Sequence, residues 1–173
     1  MTQHPTQRPT RHPTRHSTTD TARQPGPYSL PATTHSYLAR AAESLQEAIT
    51  ATDVPTRYAC AHVAALRAAA ALLAARARPT PARRRPQRNA WVLLTEVAPE
   101  LAEWATFFAA GAAKRAAAEA GSTRAVTARE ADDLVRDADR FLALVEHALG
   151  LVPHPPLGAR ITVPGGLGRS GVA

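Results

Sequence analysis

The feature that most constrains this chain is the stretch of residues 55–78, which carries eleven alanines in twenty-four positions and no glycine. Alanine is the best helix former because it loses no side-chain entropy on folding. Asp53 stands where an N-cap carboxylate would accept the first free amides, and Pro55 suits the first helical turn. Pro79 would end the helix. The sequence therefore predicts a rod of roughly 36 Å, long enough to cross a small domain.

One face of this predicted helix is apolar. At about 100° per residue, one stripe contains Tyr58, His62, Leu66, Ala69 and Leu73. His62 therefore stands in the middle of the apolar face, a little more than one turn after Arg57. A single histidine on such a stripe is more often packed and hydrogen-bonded than catalytic.

Further segments are predicted to be helical, and none shows the period-two alternation of a strand. They are residues 34–50, residues 88–121 and residues 127–149. The short break before Pro55 favours an antiparallel hairpin of the first two helices. Pro99 is either a kink or the first turn of a second helix, and a capping box of Thr127 and Glu130 begins the last helix. The sequence therefore predicts an all-α domain.

The predicted core is poor in bulky side chains. The chain contains only three Phe, three Tyr and two Trp, so alanine, leucine and valine must do most of the packing. Both tryptophans and two of the three phenylalanines fall in residues 88–121. We therefore expect this stretch to supply bulk to a core that is otherwise lined by alanine.

Both ends of the chain differ in composition from the helical part. Residues 1–33 are rich in Thr, Pro, His and Arg, and residues 151–173 are rich in Pro and Gly, so both are predicted to be disordered tails around a bundle of residues 34–150. The histidines of the first tail lack a fixed geometry, and we therefore expect no metal site and no cofactor. The single Cys60 excludes an internal disulfide and fits a reducing compartment.

The positive charge of the chain is concentrated in one window. The formal net charge is +7, and residues 54–95 hold eight arginines and no acidic residue. A basic cluster of this kind is typical of contact with a phosphate backbone. The predicted nucleic-acid contacts are Arg76, Arg78, Arg83, Arg84, Arg85 and Arg88. The alternative is a solvated loop in a chain that simply uses arginine rather than lysine.

The sequence also carries an expectation about its compartment. No apolar run approaches the ~20 residues that a bilayer-spanning helix needs. The N-terminus lacks the apolar core of a signal peptide. We therefore expect a cytoplasmic protein without membrane contact.

Two blocks of sequence resemble HEPN domains (higher eukaryotes and prokaryotes nucleotide-binding). The first is RYACAH at residues 57–62, with the run AALRAAAALLAARARP after it, which resembles the opening hairpin of these domains. The second is RNAWVLLTEVAPELAEWATFFAAGAAKRAAAEAG at residues 88–121, which is similar to a small, arginine-rich bacterial HEPN-like family of unestablished activity. The resemblance covers residues 34–150. It implies an up-down bundle of four to five helices that often dimerises.

The resemblance also implies a range of functions. Many HEPN domains are metal-independent ribonucleases, and others only bind nucleic acid or act as scaffolds. The catalytic signature is an arginine followed, after four to six residues, by a histidine. The arginine stabilises the pentavalent phosphate while the histidine moves a proton during attack by the 2′-hydroxyl.

Two residue pairs match this signature in part. Arg57 and His62 have the spacing, but they would project about 140° apart on a regular helix. Arg140 and His147 lie on the last helix at the upper limit of the spacing and share a face that also offers acidic partners for ordinary surface ion pairs. A third arginine, Arg88, has the preferred polar follower but no histidine at the right distance.

The sequence therefore predicts a HEPN-like homodimeric module that binds nucleic acid or acts as a scaffold, with weak or no catalysis. One alternative is a metal-independent ribonuclease that uses Arg57 and His62, or Arg140 and His147. A second alternative is a protein–protein adaptor without nucleic-acid contact.

Overall fold

The structure, a computed structural model, describes residues 29–76 and 89–158. Within these ranges the chain is all-α and contains no strand. The helices are α1 (Ala32–Thr50), α2 (Val54–Arg76), α3 (Ala90–Val97), α4 (Ala102–Glu119) and α5 (Ala128–Ala148), and a 3-10 turn (Pro99–Leu101) joins α3 to α4. The predicted all-α bundle of four to five helices is confirmed.

Local side-chain chemistry accounts for the helix boundaries. Asp53 Oδ1 accepts the Thr56 amide at 2.9 Å at the start of α2, as the sequence predicts. Both hydrogen bonds of the predicted capping box at Thr127 are present at the start of α5. Pro99 begins the 3-10 turn and thus separates α3 from α4 rather than kinking one long helix. Gly121 follows α4 in the left-handed region with φ 83°, which glycine adopts without steric strain.

The four long helices, α1, α2, α4 and α5, run alternately up and down. α1 and α2 form the predicted hairpin and pack along their length. α5 runs parallel to α2, because Arg57 contacts Asp132 near the start of both helices and Arg76 contacts the carbonyl of Ala148 at their ends. α4 runs antiparallel to α2. Since α1, α3, α4 and α5 all pack against it, α2 is the central helix of the bundle.

The alanines of α2 let several neighbours approach it. Seven of its buried positions are alanine or leucine, and only Ala69 among them belongs to the predicted stripe. The other six are Ala61, Ala64, Ala65, Ala68, Ala71 and Leu72. The buried surface is therefore wider than the predicted stripe and displaced from it, because Leu66 and Leu73 are only half-buried while Leu72 is fully buried. A helix that is surrounded on several sides is apolar on several faces.

The apolar composition of α2 also corrects the expectation about membrane-spanning runs. By length and composition alone α2 could cross a bilayer, with a mean hydropathy of 1.5 over its most apolar window. Within the described bundle, 56% of that window is buried against protein. Burial in the core accounts for its hydropathy without a membrane.

The bulk of the core comes from one aromatic cluster. Trp91 of α3 stacks on Phe108 of α4 with ring centroids 5.3 Å apart, and Phe141 of α5 lies 5.1 Å from Phe108. Trp104 stacks on the other side of Phe108 at 6.0 Å. The prediction that residues 88–121 supply the bulk is confirmed.

Residues 151–158 differ from the expectation of a disordered tail that begins at residue 151. They turn back after Gly150 and lie against α5, where the carboxylates of Asp139 and Glu146 bind the His154 ring and two backbone amides. The Pro-rich composition of this segment concealed the contact, because its partners lie on another element. The rest of the two predicted tails, residues 1–28 and 159–173, lies outside the described residues.

Candidate functional site

His62 lies in the aromatic core. Its side chain is 1% exposed, and its ring meets both Trp91 and Phe108 edge-on at 6.0 Å. The Nε2 atom lies 2.8 Å from the Phe108 carbonyl oxygen. Because a carbonyl only accepts, Nε2 carries the proton and donates it. Burial outweighs this hydrogen bond and lowers the pKa of His62, so the ring is neutral at neutral pH.

The second nitrogen of this ring, Nδ1, is buried and has no hydrogen-bond partner within the described part of the chain. With Nε2 protonated, Nδ1 carries a lone pair that faces no donor there. Because the ring is 1% exposed, reaching this lone pair would require the bundle to open around it. The ring is therefore built as a packed core residue rather than as an accessible proton carrier.

Gly111 permits α4 to approach this ring. A Cβ atom at Gly111 would lie 3.0 Å from the Tyr58 hydroxyl oxygen and 3.3 Å from His62 Cδ2. Both distances are shorter than ordinary van der Waals contact between such atoms. Gly111 therefore lies at the point where the Tyr58 and His62 side chains, one turn apart on α2, contact the backbone of α4.

Arg57 is held at the start of α2 by two acceptors. Its Nη1 donates to Asp132 Oδ1 at 2.6 Å, and its Nη2 donates to the Ala51 carbonyl at 3.1 Å. Its side chain is 23% exposed. The guanidinium therefore ties the α1–α2 connection to the second turn of α5.

The structure does not bring Arg57 and His62 to one site. The Arg57 guanidinium is directed at α5, whereas the His62 ring is directed at α4 and α3. This agrees with the separation of about 140° expected from a regular helix. The catalytic assignment of the pair stays a prediction, and the contacts of both residues are those of structural side chains.

Arg140 and His147 both lie on the solvent side of α5. The Arg140 side chain is 68% exposed and forms a loose ion pair with Asp137, with Nη1 and Oδ1 3.7 Å apart. His147 is exposed two turns further along the helix. The two residues share a face, as expected, but only Arg140 is among the described residues that line the cleft between α4 and α5. Their catalytic assignment also stays a prediction.

Two other arginines of α2 are engaged within the bundle. Arg76, a predicted nucleic-acid contact, donates to Glu100 Oε1 at 2.5 Å and to the Ala148 carbonyl at 2.9 Å. Arg67 donates to Ser44 Oγ at 2.5 Å and to the Arg40 carbonyl at 3.0 Å. The other predicted contacts, namely Arg78, Arg83, Arg84, Arg85 and Arg88, lie outside the described residues.

A cleft between α4 and α5 is lined mainly by charged side chains. Its volume is about 570 Å³, and its walls include Tyr58, Phe107, Lys114, Glu130 and Arg140. Its charges are largely paired, because Lys114 bonds Glu130 and Arg136 bonds Asp133. The Lys114 hydrogen bond, helped by those of Thr127, lowers the pKa of Glu130 to about 2. This cleft therefore offers no excess of positive charge.

A cluster of two carboxylates and an imidazole on α5 was missed by the sequence analysis. His154 Nε2 lies 2.9 Å from Asp139 Oδ1, and His154 Nδ1 lies 2.8 Å from Glu146 Oε2. Asp139 is 4% exposed, which is unusual for a carboxylate in a helix as charged as α5. The available signal was its position in the helical repeat, between Val135 and Leu142 of the apolar stripe. The partner histidine lies in a segment that composition marks as disordered.

The described residues contain no group of three His, Cys, Asp or Glu side chains arranged to hold a metal ion. Cys60 is a free, half-buried thiol, and burial raises its pKa. A raised pKa keeps it as the less reactive thiol.

These contacts define a small all-α bundle built around one alanine-rich central helix. A model of a HEPN-like domain family matches residues 48–146, from the end of α1 to the last turns of α5. Because this match spans more than half of the chain, the chain belongs to the HEPN domain family, as the resemblance implies. No curated protein and no solved structure matches it significantly.

Proposed function

We propose that this chain is a non-catalytic HEPN-like module that binds nucleic acid through the arginines between α2 and α3. The observation that carries the proposal is that the eight arginines of residues 54–95, a window without acidic residues, fall into two groups. Arg57, Arg67 and Arg76 are each engaged by acceptors within the bundle. The remaining five belong to the connection between Arg76 and Asn89, and they are Arg78, Arg83, Arg84, Arg85 and Arg88.

The bundle fixes where this connection begins and ends. It leaves α2 at Arg76, which lies beside Glu100 and the last turn of α5, and it enters α3 at Asn89, whose side chain caps that helix. Glu100 is paired with Arg76, so this carboxylate is already neutralised at that end of the bundle. Five arginines without a carboxylate among them favour a polyanionic partner over an acidic protein patch, since counterion release rewards each phosphate contact.

The absence of catalysis in this proposal is supported by the contacts of the motif pair. A general acid–base histidine needs access to the substrate proton and a pKa near the working pH. His62 is buried with a lowered pKa, and Arg57 is held by Asp132 on a different helix. Cleavage would need both side chains to leave these contacts.

The binding experiment compares two triple variants of equal charge. We expect the wild-type chain to bind single-stranded RNA or duplex DNA with an affinity that falls steeply with salt. Replacement of Arg83, Arg84 and Arg85 by glutamine should lower the slope of log K against log salt by about 2 to 3. The control replaces Arg40, Arg124 and Arg129 by glutamine, which removes the same charge from other exposed positions of the bundle. Equal loss in both variants would contradict the proposed site, and salt-independent behaviour would favour a protein adaptor.

Catalysis is tested by an RNA-cleavage assay in the presence of EDTA. We expect no cleavage by the wild-type chain above that of a mock preparation. Metal-independent cleavage that is lost in His62→Gln or in His147→Gln would replace the binding proposal with the ribonuclease alternative. Cleavage that survives in both variants would point to a contaminant.

We also propose that the module forms a homodimer through the exposed face of α4 and α5. Phe107 is 46% exposed and Leu144 is 39% exposed on this side of the bundle. Along α5 the charges alternate as Asp133, Arg136, Asp137 and Arg140. A twofold axis across this helix would place the acidic residues of one copy opposite the basic residues of the other. This self-complementarity supports a second copy as the partner.

The dimer is tested by charge reversal and light scattering. Arg136→Glu with Arg140→Glu should give monomers, and Asp133→Arg with Asp137→Arg should do the same. A mixture of the two variants should restore a dimer, because each supplies the charge that the other lacks. A wild-type monomer at concentrations of about 100 μM, or a mixture that stays monomeric, would contradict this interface.

A further inference from the structure

Residues 151–158, which we call the latch segment, are held to α5 by side-chain contacts rather than by regular secondary structure. The His154 ring lies between Asp139 and Glu146, at 2.9 and 2.8 Å. Two backbone amides of the segment donate to the same carboxylates, His154 to Glu146 Oε2 at 2.7 Å and Leu157 to Asp139 Oδ2 at 3.1 Å. Each carboxylate therefore binds one ring nitrogen and one amide.

The geometry requires a proton on each ring nitrogen. A carboxylate oxygen accepts, so a nitrogen at hydrogen-bond distance from it must donate. The neutral imidazole has only one N–H, which would leave the lone pair of the other nitrogen facing a carboxylate oxygen at less than 3 Å. The cation satisfies both contacts with charge-assisted hydrogen bonds. Loss of one proton therefore removes a bond and adds a repulsion at the same time.

The latch segment lies along the line where α1 meets α5. His154 lines a cavity of about 80 Å³ together with Leu45 and Ile49 of α1 and Leu142 of α5. Leu157 lines a wider groove of about 560 Å³, which Ile49 also lines together with Val135. Ile49 thus borders both spaces. Removal of the segment would take away one wall of both spaces, and the remaining walls of the wider one include the charged Arg57, Asp132 and Arg136.

We propose that the latch segment is a proton-controlled strap: the His154 imidazolium holds it closed over the groove between α1 and α5, and deprotonation releases it. The charged groups that face the ring are Asp139 and Glu146 of α5. The residues of α1 that line the adjoining cavity, which include Leu45, Gln46 and Ile49, carry no charge. Nothing on α1 can therefore replace the proton when it leaves.

The direction of the pH dependence follows from the surroundings of the ring. Burial lowers the pKa of His154, but the hydrogen bonds that its ring donates to Asp139 and Glu146 outweigh burial and raise the pKa above the ordinary 6.5. The released segment has the ordinary pKa. Closure is therefore fully stabilised below about pH 6.5, and this stabilisation is lost as pH rises through the raised pKa of the closed state. Within that window the opening constant rises by up to about tenfold per pH unit.

Amide hydrogen exchange of the full chain tests the proposal. The amides of His154 and Leu157 should be protected at about pH 5.5, and their protection, corrected for the intrinsic rate, should fall as pH rises. The midpoint should coincide with titration of the His154 ring, followed by its NMR carbon shift. In the same experiment the amides of the α2 interior should keep their protection, because the bundle itself does not open.

The matched variants are His154→Gln and His147→Gln, since His147 is an exposed histidine of α5, the helix to which the latch segment binds. His154→Gln should leave both amides unprotected at every pH, whereas His147→Gln should keep the wild-type transition. Protection that does not change while the His154 ring titrates would overturn the proposal, as would full protection in His154→Gln. The wild-type titration decides the question even if a variant folds poorly.

Discussion

The bundle contains two shielded histidines that its surroundings shift in opposite directions. His62 lies among aromatic rings, and burial lowers its pKa. His154 is also mostly shielded, but it lies between two carboxylates that raise its pKa. The first ring is stable as a neutral donor to a carbonyl, and the second is stable as a cation with two acceptors. The same side chain is thus a core residue in one region and a charged bridge in the other.

The difference teaches that the charge state of a shielded histidine is determined by its hydrogen-bond partners and not by burial alone. Edge-on aromatic rings and a backbone carbonyl do not compensate the cost of burying a charge, whereas two carboxylates do. A HEPN domain that used His62 in catalysis would need to place a charged partner beside it. In this chain the nearby arginine of the motif is bound to Asp132 instead.

The largest effect is expected for His62→Ala, which we predict lowers the free energy of unfolding by about 3 kcal/mol. The substitution leaves a cavity beside Trp91 and Phe108 and removes a buried hydrogen bond. Urea denaturation followed by tryptophan fluorescence measures the loss. The control, His147→Ala, should change stability by less than about 0.5 kcal/mol. Equal effects of the two variants would contradict the placement of His62 in the core.

The pH dependence of two related variants separates the two histidines. The wild-type chain should lose stability relative to His62→Phe as pH falls below about 6.5. In this range His62 is protonated in the unfolded state but stays neutral in the folded state, where its pKa is lowered. The stability lost in His154→Gln should instead be greatest at acid pH and should shrink as pH rises through the raised pKa of His154. If the stability difference from wild type changed with pH in the same direction for both variants, the two histidines would not be shifted in opposite directions.

The second effect in size is expected for Asp139→Ala, at about 2 kcal/mol near pH 6. The change removes the acceptor of both the His154 ring and the Leu157 amide. Because the latch segment can detach without unfolding the helices, the loss is bounded by the free energy of local opening. Denaturation at pH 6 measures it, and Glu43→Ala, which removes an exposed carboxylate of α1, is the control. A loss below about 0.5 kcal/mol would show that the cluster is not closed in solution.

The contrast between the two regions also shows what the sequence could predict. Helix positions, the caps at Asp53 and Thr127, and the burial of His62 follow from local spacing, because neighbours on a helix are set by periodicity. The aromatic cluster followed from the concentration of Trp and Phe in residues 88–121. The His154 cluster did not follow, since it depends on the chain turning back after Gly150 onto another face of α5. The carboxylate partners of Arg57 and Arg76, namely Asp132 and Glu100, could not be predicted either, because each lies more than twenty residues away along the chain.

A smaller effect, about 1 kcal/mol near pH 6, is expected for Glu146→Gln. The amide oxygen can still accept the backbone N–H and the ring N–H of His154, but the bonds lose their charge assistance. The pKa of His154 should also fall, so that the latch segment opens at lower pH than in wild type. Amide exchange of His154 against pH measures both changes. The matched control is Glu43→Gln on the exposed face of α1, and a midpoint that does not move would show that Asp139 alone holds the proton.

The smallest effect is expected for Gly111→Ala, and its sign tests how tightly the His62 region is packed. Helix propensity favours alanine by about 1 kcal/mol, whereas crowding in a packed site costs about 1–3 kcal/mol. The new Cβ would stand 3.0 Å from the Tyr58 hydroxyl and 3.3 Å from the His62 ring. The ring cannot give way easily, because Trp91 flanks it and its Nε2 is bound to the Phe108 carbonyl.

The cost of steric crowding should therefore exceed the gain in helix propensity. We predict that Gly111→Ala lowers the free energy of unfolding by about 0.5 kcal/mol. The control is Ala113→Gly on the exposed face of the same helix, which measures propensity alone. If Gly111→Ala stabilised the chain by as much as Ala113→Gly destabilises it, the ring would have room to move. The neutral His62 ring would then be held loosely, whereas the His154 ring would remain fixed by the two carboxylates. Tight packing could then no longer explain why His62 stays uncharged.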